Sequence, residues 1–316
     1  MGDFFRGTWR AEADFPRDTT GHFVRPDAPF RNWVTASGEA GPSGAGSFKA
    51  ESGRYHLIVS LACPSAHRTL IFRWLKGLES MISLSAVHWL RDERGWSFDL
   101  GPGVIPDPIF GASALPEFYV KARPDYSGRV TVPVLWDKKT NTIVNNESSE
   151  IIRMFNSAFD GVGAAEGDYY PSELRPEIDA INQRVFETVN NGVYRAGFAT
   201  SQEAYEEAFR DLLETLDWLE ARLAGQRFLI GDRLTEADWR LFTTLIRFDP
   251  VYFGHFKCNL RRIRDYPALS RYLKELYHWP RVAETVDFFH IKHHYYVSHR
   301  RINPTGIVPL GPEIKL

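Results

Sequence analysis

Of the 316 residues only two are cysteines, Cys63 and Cys258, and one of them has neighbours suited to reaction. Cys63 follows the β-prone run Tyr55 to Ser60 and directly precedes Pro64. Proline suits the first position of a helix, because its ring presets φ and its missing N–H has no helical partner there. The thiol is thereby expected at a helix N-terminus, whose partial positive charge and open N–H groups favour thiolate, the nucleophilic form of cysteine. His67 and Arg68, within the first turns, would add positive potential. Ala66 occupies the place where a Cys-X-X-Cys enzyme keeps its resolving thiol, so a mixed disulfide on Cys63 needs a thiol from outside. Glutathione is the abundant candidate. The competing role, a small buried hydrophobe, is set aside for Cys63 because strand, Cys-Pro and amphipathic helix occur together; Cys258 is read as structural.

Two further spots could hold a ligand. Val132-Pro133, just before the apolar Val134-Leu135-Trp136, suits a cis bond at a strand edge that presents the Val132 backbone, with a trans edge proline as the alternative. Glu147-Ser148 opens a helix where N–H groups and a hydroxyl can take a carboxylate and Glu147 an ammonium; ordinary capping would use the same residues. His290, His293, His294 and His299 invite a metal reading, but no matching set of acid or thiol ligands accompanies them, so structural roles and no metal are expected.

The elements that must position these groups follow from periodicity. Tyr55 to Ser60 reads as a strand, and Leu70, Ile71, Trp74, Leu75 and Leu78 recur at helical spacing after Pro64. Ile82 to Val87 makes a second strand, and Arg91 to Arg129, rich in Gly, Pro and Asp, a long insertion. Val130 to Trp136 and Thr142 to Val144 give two more strands around a polar turn, and a helix starts at Glu147. The order is βαβ, insertion, ββα. Beyond about Glu166 the strand signal stops: helices are expected over Glu177 to Asn190, Gln202 to Leu223, Glu236 to Arg247 and Ala268 to Tyr277, with Thr235 and Asp238 at capping-box spacing and Trp279-Pro280 introducing another. The fold class is therefore α/β followed by all-α. Residues 1–54 read as an extended arm, 55–165 as the first domain with its insertion at about 91–129, 166–289 as the helical domain, and 290–316 as a tail packing as coil across the domains.

Composition limits the partners. A formal net charge of −2 supplies no excess positive potential for nucleic acid. No apolar run approaches the roughly 20 residues that cross a bilayer. Scarce, unpaired cysteine and a start without a signal-peptide pattern point to a reducing, cytoplasmic setting. The glycines between Gly38 and Gly46 lack the Gly-Lys-Ser/Thr ending of a phosphate loop.

Leu61-Ala62-Cys63-Pro64-Ser65-Ala66-His67-Arg68-Thr69-Leu70 resembles the signature of the glutathionyl-hydroquinone reductases, the omega-like xi class of glutathione transferases. Gly95-Trp96, Ser127 to Trp136, Asn146 to Asn156, Thr188 to Tyr194, Arg247 to Tyr252 and Asn303 to Gly306 extend the resemblance over nearly the whole chain. It implies a thioredoxin-like N-terminal domain, an all-helical glutathione-transferase C-terminal domain, a homodimer, and reduction of glutathionyl-hydroquinones with glutathione as co-substrate and no nicotinamide. By the same resemblance Cys63 is the nucleophile; Trp96, Arg129, the Val132 backbone, Glu147 and Ser148 hold glutathione; Tyr194 and Tyr295 act on the aromatic substrate, with Tyr296 beside them. The chain departs from the family in carrying Ser65 where Trp usually follows Cys-Pro, which bears on rate and substrate preference and not on the class of chemistry. Two other readings stay open at this point: general thiol transfer or dehydroascorbate reduction from the same cysteine, and a non-enzymatic relative of the fold used for binding.

Overall fold

An Arg6-Gly7 turn, both residues at positive φ (48° and 76°), folds the start of the chain back as a hairpin of β1 (Asp3–Phe5) and β2 (Thr8–Arg10). The structure is a computed structural model and describes residues 2–11 and 17–316. Strands of three residues carry almost no periodicity, so this hairpin lies inside what sequence reads as an arm without regular structure. It extends onto the insertion, where β1 pairs antiparallel with β7 (Gly128–Arg129).

Two compact units result, the first taking residues 2–11, 27–167 and 285–294 and the second 17–26, 168–284 and 295–316. The first unit is built on β3 (Tyr55–Val59), all five of whose residues are buried. Full burial of each Leu, Ile or Val there contributes roughly 1.5–3 kcal/mol. The chain continues through α1 (Pro64–Leu75) to β4 (Ile82–Ala86), parallel to β3. The insertion contains β5 (Arg91–Asp92), β6 (Gly95–Trp96) and α2 (Pro116–Ala122) before β7. Then β8 (Val134–Asp137), β9 (Thr142–Asn145) and α3 (Ser148–Ser157) complete the unit. The sheet order β4-β3-β8-β9, with β8 antiparallel to both neighbours, is the thioredoxin-like arrangement that βαβ plus ββα requires. β8 begins at Val134 and not at Val130; Pro133, which has no N–H to give a ladder, immediately precedes it.

The second unit is helical: α4 (Arg175–Val185), α5 (Gly192–Gly197), α6 (Gln202–Ala224), α7 (Glu236–Arg247), α8 (Phe253–His255) and α9 (Pro267–Tyr277). Asp238 accepts the Thr235 N–H at 2.8 Å and the Thr235 hydroxyl at 3.2 Å, closing the acidic half of the expected capping box. Two π-helical turns interrupt the run, Phe186–Asn190 between α4 and α5 and Phe248–Tyr252 between α7 and α8. The expected coil from His290 is corrected: α10 spans Phe288–Ser298 and gives its residues up to His294 to the first unit and the rest to the second. Its sequence, Phe-Phe-His-Ile-Lys-His-His-Tyr-Tyr-Val-Ser, has no distinct polar face, so no helical period is visible.

Candidate active site

In the first unit Cys63 is the N-cap of α1, in extended conformation (φ −78°, ψ 123°), with Pro64 as the first helical residue. The Cys63 carbonyl accepts the first intrahelical bond, from the His67 N–H at 2.9 Å. The side chain forms no capping bond and is half-buried, so the sulfur stands beside the open end of the helix. Its Sγ lies 3.6 Å from the Val132 carbonyl oxygen, and the Val132–Pro133 peptide bond is cis. Thus the segment leading into β8 brings the backbone expected to hold a ligand to the expected nucleophile. Cys258, by contrast, is buried, and burial pushes its thiol well above the ordinary range.

Glu147 is the N-cap of α3, and its Oε1 accepts the N–H (2.9 Å) and the hydroxyl (2.8 Å) of Ser149. Ser148 is buried, and its hydroxyl accepts from Arg68 at 3.4 Å. His67 is fully buried, with Nε2 2.7 Å from the Thr285 hydroxyl. The two basic residues after Cys63 therefore engage partners far along the chain, which local spacing does not foretell.

Trp96 ends β6 and is stacked on His294, ring centroids 4.8 Å apart at 28°. His294 Nδ1 lies 2.9 Å from the Trp89 carbonyl; because a carbonyl only accepts, that nitrogen carries the proton. The Arg91 guanidinium lies 5.6 Å from the Trp96 ring. Burial, and after it the charge of Arg129, lowers the pKa of Arg91. Both arginines are half-buried, and two like charges so placed are relieved by an anion. Arg129 itself lies in β7, opposite Asp3 of β1. Other members of the histidine group also serve structure: His290 Nε2 is 2.5 Å from the Pro102 carbonyl, His293 Nδ1 2.8 Å from the Phe289 carbonyl and His299 Nδ1 3.2 Å from His255 Nε2.

In the second unit the Tyr194 and Tyr295 hydroxyls are hydrogen-bonded to each other, and Tyr252, which sequence reading leaves without a role, bonds Tyr295 at 3.0 Å. Tyr194 is half-buried, with the Arg25 guanidinium 5.1 Å from its ring, and Arg25 is held by Asn191 Oδ1 at 2.8 Å. Tyr295 and Tyr252 are buried, and burial raises both phenols well above their ordinary value. Tyr296 points elsewhere, its hydroxyl 3.4 Å from the Pro250 carbonyl. Tyr194 follows one π-helical turn and Tyr252 ends the other. The only sequence signal for Tyr252 is its place in the string Arg247 to Tyr252. Among the described residues no group of three or more His, Cys, Asp or Glu could hold a metal ion, and no helix is long and apolar enough to cross a membrane.

The family described as Glutathione S-transferase, N-terminal domain, matches residues 62–158, and Glutathione S-transferase, C-terminal domain, matches 202–275. The glutathionyl-hydroquinone reductase PcpF of Sphingobium chlorophenolicum is 57% identical over 312 residues, which cover 99% of this chain and 96% of that protein. The glutathione-bound structure of YqjG, a glutathione transferase homolog from Escherichia coli K-12, superposes with a TM-score of 0.93 at 54% identity, covering 99% of this chain and 96% of that one. The glutathione-S-transferase Xi from Phanerochaete chrysosporium gives a TM-score of 0.88 at 53% identity, over 92% and 98% of the two chains.

Proposed function

Because the chain belongs to the xi class of glutathione transferases, the glutathionyl-hydroquinone reductases, we propose that it reduces glutathionyl-hydroquinones to hydroquinones with glutathione, through a mixed disulfide on Cys63. The observation that carries this reading is the half-buried sulfur at the N-cap of α1, 3.6 Å from the Val132 carbonyl beside the cis Val132–Pro133 bond. A thiolate there attacks the sulfur that joins glutathione to the ring. The S–S bond forms, the sulfur–carbon bond breaks, and the electron pair passes to the ring carbon, which takes a proton from the Tyr194–Tyr295 pair. The two sulfurs are oxidised to a disulfide and the ring is reduced. A second glutathione attacks the mixed disulfide, releasing oxidised glutathione and restoring Cys63. The electrons come from thiols, so the balance requires no nicotinamide.

The reading assigns glutathione to Trp96, Arg129, the Val132 backbone, Glu147 and Ser148. Arginine charge near Trp96 suits a carboxylate of the tripeptide, and the N-terminus of α3 suits the other. Tyr194 and Tyr295, with Tyr296 outside them, are assigned to the aromatic substrate. The protein is proposed to work as a homodimer in the cytoplasm, where glutathione is abundant; light scattering of the purified protein tests the dimer. Turnover on a glutathionyl-hydroquinone, a small glutathione mixed disulfide and dehydroascorbate, compared at equal glutathione, tests the activity. The hydroquinone substrate is expected to give the highest kcat/KM; a higher value on either of the others would transfer the assignment to general thiol exchange or dehydroascorbate reduction.

A further inference from the structure

Resting on that reading, we infer that Tyr119 is a positioning residue for glutathione: its hydroxyl fixes the Val132 backbone against the start of α3, two segments of the first unit assigned to the tripeptide. Tyr119 lies in α2, within the insertion, and is fully buried. Its hydroxyl donates to the Thr131 carbonyl at 2.8 Å and accepts the Thr131 N–H at 3.1 Å. It also accepts from Asn146 Nδ2 at 3.1 Å. A phenol has one proton to give and two lone pairs to receive, so these three bonds use its whole capacity. Thr131 directly precedes Val132, and Asn146 directly precedes Glu147 and Ser148. One buried oxygen therefore ties together two backbone segments 15 residues apart in the chain.

Both partners are also held from other sides. The Phe30 N–H donates to Asn146 Oδ1 and the Asn146 N–H to the Phe30 carbonyl, each at 3.1 Å. Because an N–H only donates, the amide oxygen must face Phe30, which leaves Nδ2 for the phenol. The Thr131 hydroxyl lies 3.4 Å from both the phenol oxygen and Asn146 Nδ2. Phe30 and Tyr126 enclose the Tyr119 ring, their centroids 5.7 and 5.2 Å away. Phe118, its neighbour on α2, meets Trp136 of β8 edge-on at 5.0 Å and 90°. Packing thus seats α2 on the strand that follows the cis Val132–Pro133 bond, and the Tyr119 hydroxyl is what α2 extends to the backbone before that bond. Burial raises the pKa of the phenol, which keeps the donated proton in place. Without the oxygen, one carbonyl and two N–H donors lose a buried partner, and recovering partners requires movement. That movement displaces Val132 and Glu147 relative to each other.

The test is Tyr119→Phe, which removes one hydroxyl and keeps the ring, in the full-length protein titrated with glutathione in a calorimeter. The Kd for glutathione is expected to rise about tenfold, the effect of a buried hydrogen bond lost behind a binding surface. Alkylation of Cys63 by iodoacetamide, which needs the thiolate at the N-cap of α1 and not the tripeptide contacts, is expected to keep its parental rate, and this also shows that the variant is folded. Tyr55→Phe is the comparison. It too removes a fully buried hydroxyl from the first unit, one that donates to the Lys49 carbonyl at 2.6 Å, and it is expected to bind glutathione as the parent does. Asn146→Ala, which breaks the link from its other end, is expected to weaken binding by a similar factor and to add little when combined with Tyr119→Phe. An unchanged Kd in Tyr119→Phe overturns the inference, as does an equal loss in Tyr55→Phe or a parallel fall in alkylation, either of which assigns Tyr119 to general stability. Fully multiplicative losses in the double variant overturn the shared link. A parental protein that binds no glutathione and forms no adduct on Cys63 overturns the function reading itself, an outcome read on a different protein.

Discussion

The βα turn around Cys63 and the tyrosine cluster of the helical unit gather the groups proposed to react in opposite ways. Around Cys63 the candidate groups start from consecutive residues: a buried strand ends, Cys-Pro opens a helix, and Val132 is brought alongside from farther along the chain. The tyrosine cluster takes one residue each from α5, α10 and the π-helical turn after α7, and the three meet only once the unit has packed. A site made locally depends on backbone geometry that neighbours dictate. A site made by packing depends on side chains that other side chains hold, and it should lose function by degrees as members are removed.

Mutation separates the two. Cys63→Ser is expected to lower turnover on glutathionyl-hydroquinone by about a thousandfold or more, because the turn, Cys63-Pro64-Ser65-Ala66, holds no second thiol; steady-state assay of the purified variant measures it, and retention of parental rate would remove Cys63 from the chemistry. Tyr194→Phe should be graded, about a hundredfold in kcat on the same substrate with exchange on a small mixed disulfide spared, so comparing the two rates on one sample separates proton transfer from folding. The smallest effect is on stability. His56 sits in β3 between the Ser83 and Ser85 hydroxyls at 2.8 and 2.9 Å, and burial pulls its pKa down from 6.5 to about 4. The native state thus holds it neutral where the unfolded chain protonates it. Its contribution is present above pH 6.5 and lost as the pH falls towards about 4, on the order of 3 kcal/mol. Urea unfolding across that range should show a shallower pH dependence in His56→Gln than in the parent; parallel curves would assign the acid sensitivity to other groups.

How much was legible in sequence follows the same division. The strand, the Cys-Pro helix start, the cis proline and the residues opening α3 were readable because proline, cap residues and apolar period act over a few neighbours. The helix Glu236–Arg247 and the Asp238 contact at its start were readable for the same reason. The hairpin β1–β2 was hidden by its three-residue strands and α10 by the lack of a polar face. His67 found Thr285, Arg68 found Ser148 and His294 found Trp96 across large separations in sequence, where periodicity carries no information. Tyr252 was concealed twice, by distance and by the π-helical turn that ends on it. Glu147 shows both readings of one residue: it caps α3 through Ser149, and that same helix end is the one assigned to glutathione.

Mass spectrometry of the intact protein, after one equivalent of glutathionyl-hydroquinone is added with no free glutathione, bears most directly on the first half-reaction. The proposed mechanism gives a single glutathione disulfide on Cys63 and an equal amount of released hydroquinone. Hydroquinone released with Cys63 unmodified, or a glutathione carried on Cys258 instead, would contradict it.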